Sequence, residues 1–82
     1  MINVIALTNQ QVLISSIEEV GSELGEPDCK LISPHVVNDD GTLEPFLKSV
    51  TKDIEFMMSS DKILTLATPT PTLLEKYQDL IK

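Results

Sequence analysis

Eighty-two residues, 41% of them apolar, build a single core, but Phe46, Phe56 and Tyr77 are its only aromatic side chains, so that core is thin. Cys29 is the sole cysteine and His35 the sole histidine, which excludes an internal disulfide and a Cys/His zinc site within one chain and leaves oligomerisation as the remaining support. Thirteen acids against six lysines, with no arginine, give a net charge of −7, which counts against tight nucleic-acid binding because arginine is the usual reader of guanine edges and phosphates.

The charge is uneven. Residues 1–47 carry eight acids and only Lys30, whereas residues 48–82 carry five charges of each sign, so an anionic partner would approach the second part. No apolar run approaches the roughly 20 residues that span a bilayer, and no basic start followed by a long apolar stretch marks a signal peptide. The expectation is a soluble intracellular protein with no membrane partner.

The chain opens on Ile2 to Leu7, a β-branched apolar run that predicts a strand over about residues 2–8. A polar break at Thr8 to Gln10 leads into Val12 to Val20, a second strand over about 11–20 that forms a hairpin with the first. Apolar residues of both parities, Leu13 and Ile14 among them, predict that both faces of this strand are covered, as in a bent strand of a small barrel.

Gly21 to Pro27 reads as a loop. A third strand over about 29–37 is interrupted at Pro34, which lacks the N–H of a ladder donor and must sit at an edge, bend or bulge. Asn38 to Gly41 is a turn. Thr42 to Val50 reads as a loop with a strand start, since Pro45 bars a regular strand while Phe46, Leu47 and Val50 call for burial.

Alternation through Ile54, Phe56 and Met58 predicts a fourth strand over about 51–58, and Lys62 to Ala67 a fifth over 62–67, with a turn at Ser59 to Asp61 between them. Thr72 and Glu75 have the spacing of a capping box, predicting a helix over 72–81 with Leu73, Leu74, Tyr77, Leu80 and Ile81 on one stripe. The stripe is a packing face, against its own barrel or a neighbour. All of this falls in one domain, residues 1–82, mainly β with a short C-terminal α-helix.

Chemistry-bearing residues are sparse. His35 is the one base for a nucleophile and reads as a packed or surface strand residue; Cys29 reads as a small buried hydrophobe. Neither a phosphate-binding glycine loop nor a dinucleotide fingerprint is present, so the chain is expected to be no enzyme and to need no cofactor. Glu18, Glu19, Glu23, Glu26 and Asp28 crowd one region, but the order of a calcium loop is missing, and a solvated acidic loop is the plainer account.

Two segments carry a family pattern. Leu7 to Val20 (LTNQQVLISSIEEV) resembles the first half of the Sm motif, with Leu7, Leu13, Ile17 and Val20 at its apolar sites and Ser15 at the glycine of the bend; Gln10 and Gly21 replace its other glycine and its acid. Asp28 to Leu31 falls at the motif's Asn-containing step, and Met58 to Leu66 (MSSDKILTL) resembles the second motif. The chain is similar to Sm-like (LSm) proteins over about residues 4–69, and closest to short acidic members attributed to marine cyanophages. The family usually opens with a helix, whereas this chain closes with one.

That resemblance implies an Sm-like, five-stranded, strongly bent open barrel whose fourth strand pairs with the fifth of the next copy, giving a homo-oligomeric ring of about five to seven subunits. It also implies weak single-stranded RNA or DNA binding in nucleic-acid processing, in the cytoplasm of a host cell if the protein is phage-encoded. The positions that would line the nucleic-acid site are Asp28, Lys30, Ser59, Ser60 and Lys62. The uridine pocket itself is altered: Asp28 is acceptor-only where the family has Asn, Ser59 stands where it has Arg, and Gly25 to Pro27 supply nothing aromatic to stack. The alternative is a structural or protein-interaction ring that binds no nucleic acid, its acidic loops meeting a basic protein.

Overall fold

The computed structural model describes residues 1–21 and 23–81. Ser22 of the expected Gly21–Pro27 loop and Lys82 lie outside the described residues. Six strands and a C-terminal helix follow in order: β1 (Ile2–Leu7), β2 (Val12–Glu19), β3 (Cys29–Val37), β4 (Leu43–Pro45), β5 (Glu55–Met58), β6 (Ile63–Ala67) and α1 (Pro71–Leu80), with a 3-10 turn at Ser60–Lys62. The strands form one antiparallel sheet in the order β4-β3-β2-β1-β6, and β5 pairs with the other part of β3's free side. The sheet does not close on itself.

The β1–β2 hairpin forms where the polar break was expected. The Leu7 N–H donates to the Gln11 carbonyl at 2.9 Å, the Asn9 carboxamide oxygen accepts the Gln11 N–H at 3.0 Å, and Gln10 takes a φ of 72°. Register then places Ile5 opposite Leu13, so both face one side of the sheet. Together with Leu7 and Leu31 they make the core, and Ile5, Leu13 and Leu31 have no exposed surface. Each such side chain contributes about 1.5–3 kcal/mol relative to exposure.

Leu13, Ile14 and Ser15 are buried in succession. Successive side chains of a strand point to opposite faces, so β2 is covered on both sides here, as its mixed-parity sequence predicted. The cover on the second face is tied down by α1: Tyr77 is fully buried, and its hydroxyl accepts the Ser16 N–H at 3.3 Å. The same hydroxyl donates toward the carbonyls of Ile32 at 3.1 Å and Ser33 at 3.0 Å. The β2–β3 register shifts between Ile14 and Ser16, and the Ser15 hydroxyl satisfies the Ile32 carbonyl at 3.1 Å across that irregularity.

Pro34 does not interrupt β3, because it sits where the strand changes partner. Residues 29–32 pair with β5 and residues 35–37 with β4, leaving no ladder donor required at Pro34 on that side. Ser33 takes a φ of 53° at the change, donates to the Ile54 carbonyl at 2.6 Å, and the Pro34 carbonyl accepts the Phe46 N–H at 3.0 Å.

Several boundaries differ from the sequence reading, among them the last strand, which starts at Ile63 because Lys62 belongs to the 3-10 turn, and the helix, which ends at Leu80. The five-strand count becomes six because Leu43–Pro45 pairs with Val37–His35; Pro45 is tolerated since β4 is an outer strand with a side free of ladder bonds. The fourth expected strand, 51–58, shortens to Glu55–Met58, as residues 47–51 close a turn through Leu47, whose carbonyl accepts the N–H groups of Val50 and Thr51 at 3.1 Å. The first two strands are trimmed by one residue at their ends. The helix starts at Pro71 and not after Thr72: Thr70 is its N-cap, accepting the Leu73 N–H at 3.3 Å, so the expected Thr72/Glu75 capping box is replaced by a Thr-Pro start.

No helix among the described residues is long and apolar enough to cross a membrane.

Candidate functional site

The five residues singled out by motif position do not form one cluster of equals. Asp28 lies one residue before β3, and its backbone carbonyl accepts the Val20 N–H at 3.0 Å, which holds it at the mouth of the Glu23–Glu26 loop. Ser59 and Ser60 open the 3-10 turn that links β5 to β6. Since β5 pairs with the start of β3, with Cys29 opposite Met58, this turn is brought beside Asp28.

The Asp28 carboxylate is then bonded twice by one residue. Its Oδ1 accepts the Ser60 N–H at 2.7 Å and its Oδ2 accepts the Ser60 Oγ–H at 2.7 Å. These bonds favour the ionised form, and the Asp28 carboxyl is held below the usual carboxylate range, the Ser60 hydroxyl being the larger cause and the Ser60 N–H the next. Ser59 donates its hydroxyl to Asp61 across the same turn.

The lysines stand apart from this pair. Lys30 is drawn across the β3–β5 ladder into an ion pair with Glu55, Nζ to Oε1 3.4 Å, and Lys62 is exposed in the turn, its backbone carbonyl accepting the Thr8 N–H at 3.0 Å. Lys48 is likewise paired, with Glu44 at 3.2 Å. Exposed pairs of this kind contribute about 0–1 kcal/mol each.

Around Asp28 and Ser60 lies a shallow cleft of about 570 Å³, bounded also by Glu23, Leu24, Glu26 and Asp61. Among the described residues its lining holds four carboxylates and no lysine, so its field repels a phosphate backbone. Leu24, at the rim, is fully exposed. The gathering of Glu23 and Glu26 with Ser59 to Asp61 was not legible in sequence, since more than thirty residues separate the loop from the turn. The signals were the run of acids and the Sm-like resemblance, which set Gly25–Pro27 and Asp28 beside Ser59. Among the described residues, no three His, Cys, Asp or Glu side chains stand together in a way that could hold a metal ion.

Cys29 and His35 sit at opposite ends of β3, Cys29 opposite Met58 and Glu19, His35 opposite Ile14 and Pro45. They are not placed as nucleophile and base. Burial pushes the Cys29 thiol up, and the carboxylates of Asp28 and Glu19 push in the same direction.

On the core side of the sheet the picture changes. Leu66 lies directly opposite Ile5 and so shares its face, yet Ile5 is fully buried and Leu66 is 50% exposed. Leu66, Ile63, Ile17, Cys29 and Met1 border an apolar groove of about 400 Å³ that also touches Ser60. The core thus runs out at β6 without being covered.

A family model of unknown function, DUF6561, matches residues 1–82, and the chain belongs to that family. No curated protein matches it.

Proposed function

We propose that this member of the DUF6561 family is a ring-forming, non-enzymatic assembly module of the Sm-like kind, in which β5 of one copy pairs with β6 of the next and the outer surface engages other proteins. The observation that carries the reading is the open end of the core. Leu66, on the face of Ile5, and Leu64 beside it are 50% and 72% exposed on an outer strand, while Met57 on β5 is 52% exposed at the other outer strand. Free strand edges with exposed apolar side chains are templates for pairing, and two complementary edges in one chain favour a closed cycle of copies over a one-off dimer.

Two features favour protein over nucleic acid as the further partner. The cleft that the motif positions build is lined by Glu23, Glu26, Asp28 and Asp61, and Lys30 is engaged by Glu55. A basic protein segment complements that cleft. The second reading, weak binding of single-stranded RNA or DNA in nucleic-acid processing, is favoured by one observation: Asp28 meets Ser60, as a base-binding step built from the two motifs requires.

Light scattering over a wide dilution range tests the assembly. The expected result is a particle whose mass is a multiple of 9.1 kDa and which dissociates in a Leu64→Lys/Leu66→Lys variant. A well-folded wild-type particle of 9.1 kDa at every dilution overturns the reading. Titration of fluorescent oligouridine and oligodeoxythymidine at about 50 mM salt separates the second reading, since contacts to phosphates strengthen as salt falls.

A further inference from the structure

A further cavity, of about 310 Å³, lies between the middle of β3, the residue following β4, the segment entering β5 and the end of α1. Its walls are apolar: Phe46, Phe56, Ile54 and Leu80. Phe46 and Phe56 meet edge to face with ring centres 5.5 Å apart and planes at 73°, which fixes the walls before any ligand arrives. Two polar side chains complete the lining as its titratable groups, His35 and Asp53.

Both present acceptors. His35 is only 8% exposed, and its Nδ1 lies 2.9 Å from the Ser33 carbonyl, an atom that can only accept, so in the neutral ring Nδ1 carries the proton. Nε2, for which no hydrogen bond is formed among the described residues, is then the lone-pair nitrogen of a ring that lines the cavity. The ring is held edge to face against Tyr77 at 5.5 Å, so it cannot turn freely to exchange its nitrogens. Asp53 adds a carboxylate at the rim, with its own N–H engaged by Thr51 Oγ1 at 3.1 Å. No lysine among the described residues lines the cavity.

An apolar box with a carboxylate and an imidazole, and with no cation among the described residues that line it, is complementary to a ligand with an apolar body and a positively charged donor head. A neutral apolar ligand would strip water from Asp53 without compensation, and an anion would add repulsion. The aromatic walls add attraction for a cation. The volume is at the low end of ligand sites, which range over about 300–1,000 Å³, so it fits a single-ring amine and is too small for a folded peptide element. We infer that this cavity is a binding site for a small aromatic amine, its ring against Phe46 and Phe56 and its ammonium group shared by Asp53 and His35 Nε2.

The cavity shares Phe56 and the segment entering β5 with the proposed ring edge but no residue with the acidic cleft, so its test reads the cavity residues directly. The probe is phenethylamine, cationic at neutral pH, titrated into the isotope-labelled protein and followed by NMR, with 3-phenylpropionate as the anion of similar shape. The expected result is saturable shifts of the Phe46, Phe56 and Ile54 signals and of the His35 Nε2 resonance, with a dissociation constant on the order of 1 mM for so small a ligand. Asp53→Asn, a change at an exposed position, should weaken binding about tenfold by removing the charge-assisted bond. No saturable shift at these residues, equal binding of the anion, or unchanged affinity in Asp53→Asn each overturns the assignment.

Discussion

Asp28 and Ser60 stand 32 positions apart in the chain and are joined by two hydrogen bonds of 2.7 Å, one from the Ser60 backbone and one from its hydroxyl, onto the two oxygens of a single carboxylate. This clamp fastens the β5–β6 turn to the start of β3. It therefore sets the direction in which β6 leaves, and with it the orientation of the free edge on which the proposed assembly depends.

Asp28→Ala releases the turn and should lower the thermal midpoint at neutral pH. In the folded chain the Asp28 carboxyl is held below its ordinary value of 3.8, so its stabilising contribution is complete well above 3.8. It fades as the pH falls past that value and is lost once the pH drops through the folded value. Thermal melts of wild type and variant at stepwise lower pH should show the gap closing in acid; a gap that stays constant down to the acid limit contradicts the role given to the carboxylate.

Tyr77→Phe tests how α1 is held. Loss of the hydroxyl leaves the Ser16 N–H without its partner, while the Ile32 and Ser33 carbonyls keep the Ser15 hydroxyl and His35 Nδ1, at a cost of about 1–3 kcal/mol in denaturant unfolding. Burial raises the phenol above its ordinary 10.0. The unfolded chain therefore loses this proton first, and the wild type should lose stability as the pH rises beyond about 10, the unperturbed tyrosine value. The phenylalanine variant lacks that alkaline loss, so the two stability curves should converge there; parallel curves would count against the buried hydroxyl.

The helix start separates two threonines. Thr70→Ala removes the cap on the Leu73 N–H and should cost about 1 kcal/mol, whereas Thr72→Ala should fall within about 0.5 kcal/mol of wild type. Equilibrium urea unfolding of the two variants decides it, and the reverse ranking would restore the capping box.

Cys29 is 6% exposed and its thiol is pushed up by burial, so little thiolate is available near neutral pH. Reaction with a thiol reagent at pH 8 should be more than about tenfold slower in the native protein than in urea. Immediate native-state labelling would show that the β3–β5 end of the sheet opens readily.

Much of the architecture was legible because short-range rules decide it. β-branched runs at Ile2 to Leu7 and Val12 to Val20 around a polar break can only be efficiently used as a hairpin, and Leu13 beside Ile14 announced a strand covered on both faces. The amphipathic stripe after Pro71 announced α1. Other features were misread for local reasons: Pro71 suits the first helical turn, which moves the cap from Thr72 to Thr70, and Pro45 is acceptable in a strand when one side is free of ladder bonds.

By itself, then, the amino-acid order determined an acidic, mainly β chain with a thin core, a closing helix and a short list of polar positions near two turns. Tertiary structure alone decided which of those positions meet: Asp28 with Ser60, Lys30 with Glu55, His35 with Tyr77. The reason is physical. Strand propensity, turns and caps depend on neighbours a few residues apart, whereas β3 brings distant segments together by changing partner at Ser33 and Pro34, and that choice rests on packing spread over the whole sheet.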